Sequence, residues 1–222
     1  TIVKAREIMK CDLYQVYGLT ETTGAITMMM PDDHNPERGK LRSCGKALKG
    51  VELKVIDDDG NDLETGEIGE VISKSKLNMK GYWNKPDATK ESIVDGWFYS
   101  GDAGFFDEEG FLFIHDRVKD MIVSGGENIY PAEVENALMS HDEILDAAVV
   151  GVPDEKWGES VKGFVVIGES SLSEEEIISY TRSQIAAYKC PKSIEFIKEL
   201  PRNPSGKILR RELRDPYWEG ID

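Results

Sequence analysis

The chain has 222 residues, 40% hydrophobic and 31% charged, which suits one large or two small folded domains and excludes a disordered segment. Its 42 acidic side chains outnumber 27 basic ones, for a net charge of −15. That balance argues against broad nucleic-acid binding through a basic face and against an electrostatic membrane anchor. It also leaves any anionic ligand to be held by local donors.

The opening residues, TIVKAREIMKCDLYQVYG, predict a short helical piece followed by a strand. They read as the middle of a fold, so the chain is expected to be a piece of a longer protein. Residues 51–56, VELKVI, alternate apolar and polar side chains and predict a strand, turned by DDDG. GEIGEVIS at 66–73 predicts another. WFYSGDAGFF, the turn DEEG and FLFIH predict an aromatic hairpin over 97–115. Short strands with regular turns across 1–116 indicate a small barrel or sandwich subdomain.

The pattern changes near residues 117–120. PAEVENALMSH has an early proline and Val134/Leu138 four apart, which predicts a helix. ILDAAVVGV and KGFVVIG predict strands. SLSEEEIISYTRSQI predicts a helix with a capping box from Ser173 to Glu176. KSIEFIKEL predicts a strand and KILRREL a short final helix. The expected fold class is α/β (mixed α+β), with one domain over 1–117 and a compact second domain over 118–222. No apolar run approaches the length of a membrane span. Cys11, Cys44 and Cys190 are dispersed, with no CxxC pair, which predicts a reducing, intracellular setting without structural zinc.

Four stretches carry chemistry. In YGLTETTG (17–24), glycines allow close backbone approach, hydroxyls suit phosphate oxygens, and Glu21 can hold a hard cation such as Mg²⁺. Taken alone, it reads first as an ordinary polar turn. Asp102 follows Gly101, and Arg117 lies across the expected hairpin. The pair suits a ribose diol and phosphate, or is simply an ion pair. Gly125-Gly126 follows a short apolar strand and reads alone as a β-turn. Lys207, in NPSGKILRR, sits at a Pro/Gly turn, where a lysine is ordinarily a solvated charge. GKLRSCGKA is not a phosphate-binding P-loop: its spacing is wrong and Ala47 stands where a hydroxyl must meet the metal.

Together and in order, YGLTETTG, GEIGEVISKSKLNMKGYWNKPDAT, GWFYSGDAGF, DRVKDMIVSGGENIYPAEVE, VPDEKWGE and PRNPSGKILRREL resemble the adenylate-forming superfamily of acyl-CoA synthetases, aryl-CoA ligases, luciferases and peptide-synthetase adenylation domains. Within it, LRSCGKALKGVELKVID and HDRVKDMIVSGGENIYPAEVENAL look most like bacterial fatty-acid–CoA ligases. The resemblance implies the end of a large AMP-binding domain, including a small distorted β-barrel subdomain, followed by a small mobile C-terminal domain. It implies ATP, Mg²⁺ and coenzyme A, a carboxylic acid substrate, and an acyl-AMP formed before the thioester.

By resemblance, Tyr17, Gly18, Thr20, Asp102 and Arg117 bind nucleotide, with Tyr17 near adenine and Asp102 on the ribose. Glu21 helps hold Mg²⁺, and Lys207 bridges the substrate carboxylate and α-phosphate. Lys119 is the hinge, and Gly125 and Gly126 line the thiol tunnel. Ser100 stands where threonine is common. The family's Ser/Thr/Gly-rich phosphate loop has no match here. It is therefore expected upstream, in an N-terminal part of the same enzyme, and the 222-residue chain alone is expected not to turn over ATP. The expected setting is cytoplasmic, with homo-oligomerisation open and no nucleic-acid partner. The alternatives are an aryl- or other carboxylate–CoA ligase and a non-catalytic truncated module.

Overall fold

The computed structural model describes residues 2–168 and 171–220, and its contacts divide the chain into two compact units, Thr1–Val118 and Lys119–Asp222. The first unit begins with α1 (Ile2–Met9). Strands β1 (Gln15–Leu19), β2 (Gly24–Met29) and β3 (Lys46–Ala47) form an antiparallel sheet. A second sheet holds β4 (Val51–Ile56), β5 (Gly69–Ser75), a two-residue β6 (Ile93–Val94), β7 (Trp97–Phe106) and β8 (Leu112–Arg117), with α2 (Pro86–Ser92) preceding β6. Its order is β4-β5-β7-β6, with β8 also on β7. The expected distorted barrel is thus a curled half-barrel that stays open. Val55, Val71 and Leu112 form its buried centre, as the alternating pattern of β4 requires. The short helix α2 escaped the sequence reading because PDATKES has no apolar periodicity; none of its side chains is buried.

The second unit contains β9 (Ile122–Ser124), β10 (Glu127–Ile129), α3 (Pro131–Leu138), β11 (Ile144–Asp154), β12 (Gly158–Ile167), α4 (Glu174–Gln184), β13 (Ser193–Phe196) and α5 (Arg210–Trp218). The sheet order is β10-β9-β12-β11, with β13 also on β12. β11 and β12 are joined by a tight turn and so pair antiparallel over ten register positions; only β12 and β13 run parallel. One face of the sheet carries Val149, Val161 and Val165 against Val134, Leu138 and Ile177 of α3 and α4. The opposite face carries Val150 and Phe164 against Leu213 and Tyr217 of α5. The Ser173–Glu176 capping box is present, with the Glu176 carboxylate accepting the Ser173 N–H at 2.9 Å.

The last helix starts later than its sequence suggests. The Lys207 carbonyl, which a helix would offer to the Arg211 N–H, instead accepts the Asn203 N–H at 2.9 Å, and Ile208 is bridged to Arg202, so residues 207 and 208 belong to the turn. It then runs past Pro216, a helix breaker by propensity. Tertiary anchors offset that cost: the Tyr217 hydroxyl donates to Glu195 at 2.6 Å and the Trp218 indole N–H to the Gly151 carbonyl at 3.1 Å.

Leu138 is fully buried at the centre of the second unit's core, whereas Leu145 is 61% exposed. Leu138→Ala is expected to destabilise this unit by about 3 kcal/mol, and Leu145→Ala to stay within about 0.5 kcal/mol. Urea unfolding curves of the two variants check this; equal midpoints would contradict the assigned core.

Candidate active site

Asp102 organises the chemistry of the first unit. It lies in β7 directly opposite Arg117 of β8. Two irregularities aim it. The β5/β7 register shifts between Glu70 and Ile72, and the β7/β8 register between Ala103 and Gly104. Such bulges bend a strand and redirect a side chain. Gly101 has φ +69°, a conformation other residues adopt only with strain, and its N–H donates to the Glu70 carboxylate at 2.8 Å. The Ser100 hydroxyl donates to the Val71 carbonyl at 2.6 Å and accepts the Asp102 N–H at 3.0 Å, fixing the backbone on both sides.

The Asp102 side chain, only 10% exposed, is held by two charge-assisted contacts. Arg117 Nε lies 2.9 Å from Oδ1, and the Tyr17 hydroxyl donates to Oδ2 at 2.6 Å. Arg117 Nη1 reaches on to the Ser100 carbonyl at 3.3 Å. Burial, and then the negative charge of Asp102, push the Tyr17 phenol above the ordinary tyrosine range. Burial likewise raises the Glu70 carboxyl, with the Asp102 charge adding to it. Three sequence-derived residues, Tyr17, Asp102 and Arg117, therefore meet in one cluster.

The YGLTETTG segment is a hairpin end. Gly18 has no room for a Cβ, which would run into the Gly24 carbonyl. Thr20, Glu21 and Thr22 form a 3₁₀ turn. Thr20 is exposed and Glu21 half-buried, while Thr22 is fully buried. The Thr22 hydroxyl accepts the Leu19 N–H at 2.9 Å and lies 2.7 Å from the Gly24 carbonyl. Thr22 thus holds the loop shape that presents its two neighbours. The Tyr82 hydroxyl donates to Glu21 Oε1 at 2.9 Å. Burial, and then that contact, raise the Tyr82 phenol. Tyr82 and Glu70 were not singled out in the sequence; KGYWNKPDAT marked the segment without a role for its tyrosine.

The remaining candidates lie in the second unit. Gly125 and Gly126 form the two-residue turn between β9 and β10, with φ +62° and +86°, the signature of a primed hairpin turn. A Cβ on Gly125 would press on the Trp157 ring at 2.7 Å, whereas around Gly126 the space is open. Lys119 is exposed in a 3₁₀ turn over Val118–Asp120. Lys207 is exposed at a turn built around Asn203, whose Oδ1 accepts the N–H groups of Ser205 (3.0 Å) and Lys207 (2.9 Å) and the Ser205 hydroxyl (2.7 Å). The Asn203 N–H closes the turn onto the Lys207 carbonyl at 2.9 Å. The Lys207 backbone is braced, and its ammonium has no hydrogen-bond or ion-pair partner among the described residues. The sequence reading gave Asn203 no role.

The model of AMP-binding enzymes matches residues 1–83, and that of the AMP-binding enzyme C-terminal domain matches residues 133–207. The chain belongs to the AMP-binding, adenylate-forming enzyme family. It is 46% identical over 212 residues to the fatty acid–[acyl-carrier-protein] ligase ScoC of Streptomyces coeruleorubidus, matching 95% of this chain and 41% of that enzyme. It is 43% identical over 216 residues to the long-chain-fatty-acid–CoA ligase FadD13 of Mycobacterium tuberculosis, matching 97% of this chain and 42% of that enzyme. The chain thus spans less than half the length of these relatives. Its structure resembles o-succinylbenzoate CoA synthetase of Bacillus subtilis in complex with the acyl-adenylate OSB-AMP. The TM-score is 0.87 at 40% identity, over 96% of this chain and 43% of that one. The same synthetase in complex with ATP and magnesium ion gives 0.85 at 38% identity, over 96% and 43%.

Tyr17→Phe is expected to cost about 1.5–3 kcal/mol, the usual worth of a hydrogen bond to a buried charge. It also changes the alkaline limb of stability. A phenol whose folded pKa is raised stabilises in full below its unfolded value of about 10, and this is lost as pH climbs above that value. Stability measured between about pH 9 and 11 should therefore fall less steeply in Tyr17→Phe than in the parent. An unchanged slope would contradict the buried, Asp102-bonded phenol.

Proposed function

We propose that the chain is the C-terminal part of an ATP-dependent fatty-acid–CoA ligase that forms an acyl-AMP and then the acyl-CoA thioester. The observation that carries this reading is Lys207: an ammonium without a partner among the described residues, on a turn whose backbone is itself fully braced. A solvated surface lysine needs no such support; one that must meet developing charge does. Residues 1–118 form the end of the AMP-binding domain and 119–222 the C-terminal domain that changes pose between the half-reactions. Lys119 is the pivot. The remainder of the ligase, with its phosphate loop and most of the acyl pocket, lies upstream.

Asp102 Oδ2 accepts the Tyr17 hydroxyl and Oδ1 is ion-paired with Arg117, so further lone pairs remain for a ribose diol. Arg117, already in line with Asp102, adds donors beside the sugar or phosphate. The Tyr17 hydroxyl fixes the carboxylate and its ring packs beside adenine. The Gly18 backbone and the exposed Thr20 hydroxyl approach the nucleotide at the hairpin end. Glu21 has one oxygen engaged by Tyr82, leaving the other for Mg²⁺. Among the described residues no cluster of three or more His, Cys, Asp or Glu side chains forms a metal cage. A single carboxylate fits Mg²⁺, which is commonly held by one or two carboxylates together with substrate phosphates. When bound, the ion neutralises phosphate charge. Lys207 then stabilises the charge that grows as the substrate carboxylate attacks the α-phosphate. In the second half-reaction the side-chain-free Gly125-Gly126 turn lets the pantetheine of coenzyme A pass.

The resemblance to o-succinylbenzoate CoA synthetase favours a second reading, in which the acid is aromatic. Pyrophosphate release by the full-length ligase against a panel of aliphatic and aromatic acids decides between them. No helix among the described residues is long and apolar enough to cross a membrane. The small-molecule substrates, absence of a nucleic-acid partner, cytoplasmic setting and place in fatty-acid metabolism belong to the same proposal.

Lys207→Ala in the full-length ligase should slow acyl-adenylate formation by roughly 10²–10³, about 3–4 kcal/mol, and spare thioester formation from supplied acyl-AMP. Equal loss in both steps would contradict the assigned role. Gly126→Leu should show the reverse: adenylation retained, and thioester formation reduced by a side chain in the thiol path. Normal thioester synthesis would remove this turn from the mechanism.

A further inference from the structure

The motif that carries Lys207 ends in two consecutive arginines, Arg210 and Arg211, which the sequence does not distinguish. Their surroundings differ sharply. Arg211 is 85% exposed, with only a loose contact to Asp215 at 3.8 Å. Arg210 is the first residue of α5 and turns inward. Its Nε and Nη2 form a fork on Glu135 of α3, at 3.1 and 2.8 Å, and its Nη1 lies 3.5 Å from Asp120. Glu135 is itself fixed, since its Oε1 also accepts the Val149 N–H from the middle of β11 at 2.9 Å. On the other side of the turn, Arg202 donates to the Gly206 carbonyl at 2.7 Å and to Asp146 of β11 at 2.6 Å. The Lys207 turn is thus pinned at both ends to β11 and α3. The exit side, where the guanidinium and both carboxylates are mostly buried, is the more buried of the two.

We propose that Arg210 is a positioning residue for Lys207: through its fork on Glu135 and its contact with Asp120 it sets where the Lys207 ammonium stands. This rests on the adenylation role given to Lys207 above. A planar, bidentate donor fixes direction as well as distance, which a lysine at 210 cannot do. Asp120 is the residue after Lys119, so the same guanidinium also ties the Lys207 turn to the segment where the second unit begins. Lys207, α3 and residue 120 therefore move as one piece.

The test is the adenylation rate of the full-length ligase, read as single-turnover pyrophosphate release, in a double-mutant cycle. Arg210→Ala is expected to lower the adenylation rate constant about 10- to 100-fold, the loss that a displacement of about 1 Å brings, with little change in the KM for ATP. Arg210→Lys, which keeps the charge and favours folding, should recover only part of that. Arg211→Ala should match the parent. In a Lys207→Ala background, Arg210→Ala should add no further loss, because there is no ammonium left to position. A merely structural role would lower the active fraction and so multiply the loss in both backgrounds; that result overturns the proposal while leaving Lys207 in place. Parental adenylation by both Arg210 variants overturns it as well. If Lys207→Ala itself adenylates normally, the reading of Lys207 fails first and the positioning role falls with it.

Discussion

A carboxylate stays charged in a protein interior only where donors replace the water it has lost, and the geometry of the first unit follows from meeting that condition at Asp102. Tyr17 from one sheet and Arg117 from the neighbouring strand of another must both reach it. This requires the β7 irregularities, the left-handed Gly101 and the Ser100 and Glu70 contacts that hold the strand off its regular path. The 3₁₀ turn of Thr20–Thr22 then hangs from the same strand as Tyr17. Groups from distant parts of the sequence thereby converge on one buried carboxylate.

The second unit repeats the principle at Glu135. There a mostly buried carboxylate collects a backbone N–H from the central strand and an arginine fork from the last helix. The result is different in kind. Asp102 keeps acceptor capacity for something outside the protein, while the Glu135 contacts are spent on joining helix, sheet and turn. One carboxylate has acceptor capacity to spare, and the other has its contacts spent inside the fold.

Much of this was legible in the sequence because it rests on local pattern. The alternation of VELKVI, the aromatic hairpin and the capping box at Ser173 each became the expected element. The pairing of Asp102 with Arg117 was readable as a cross-hairpin distance. What the sequence hid depends on long-range partners. The glutamate–tyrosine contact of Glu21 and Tyr82 spans 61 positions, and the Arg210–Glu135 fork spans 75. Neither has a periodicity to announce it. The start of α5 was misplaced because the Asn203 N–H takes the Lys207 carbonyl that a helix would otherwise use. Likewise β11 and β12, read as elements of an alternating α/β pattern, pair antiparallel because only a short turn joins them.

The hub of the Lys207 turn is an asparagine, and asparagines age. The common route begins when the backbone nitrogen of the following residue attacks the side-chain amide, closing a succinimide that reopens as aspartate or isoaspartate. Residue 204 is proline, whose nitrogen carries no hydrogen and is locked in its ring, so that route is closed at Asn203. Aspartate at 203 would add a negative charge to the turn that carries Lys207, and isoaspartate would lengthen its backbone. The Asn-Pro pair therefore closes this route to a new charge in the turn as well as shaping it.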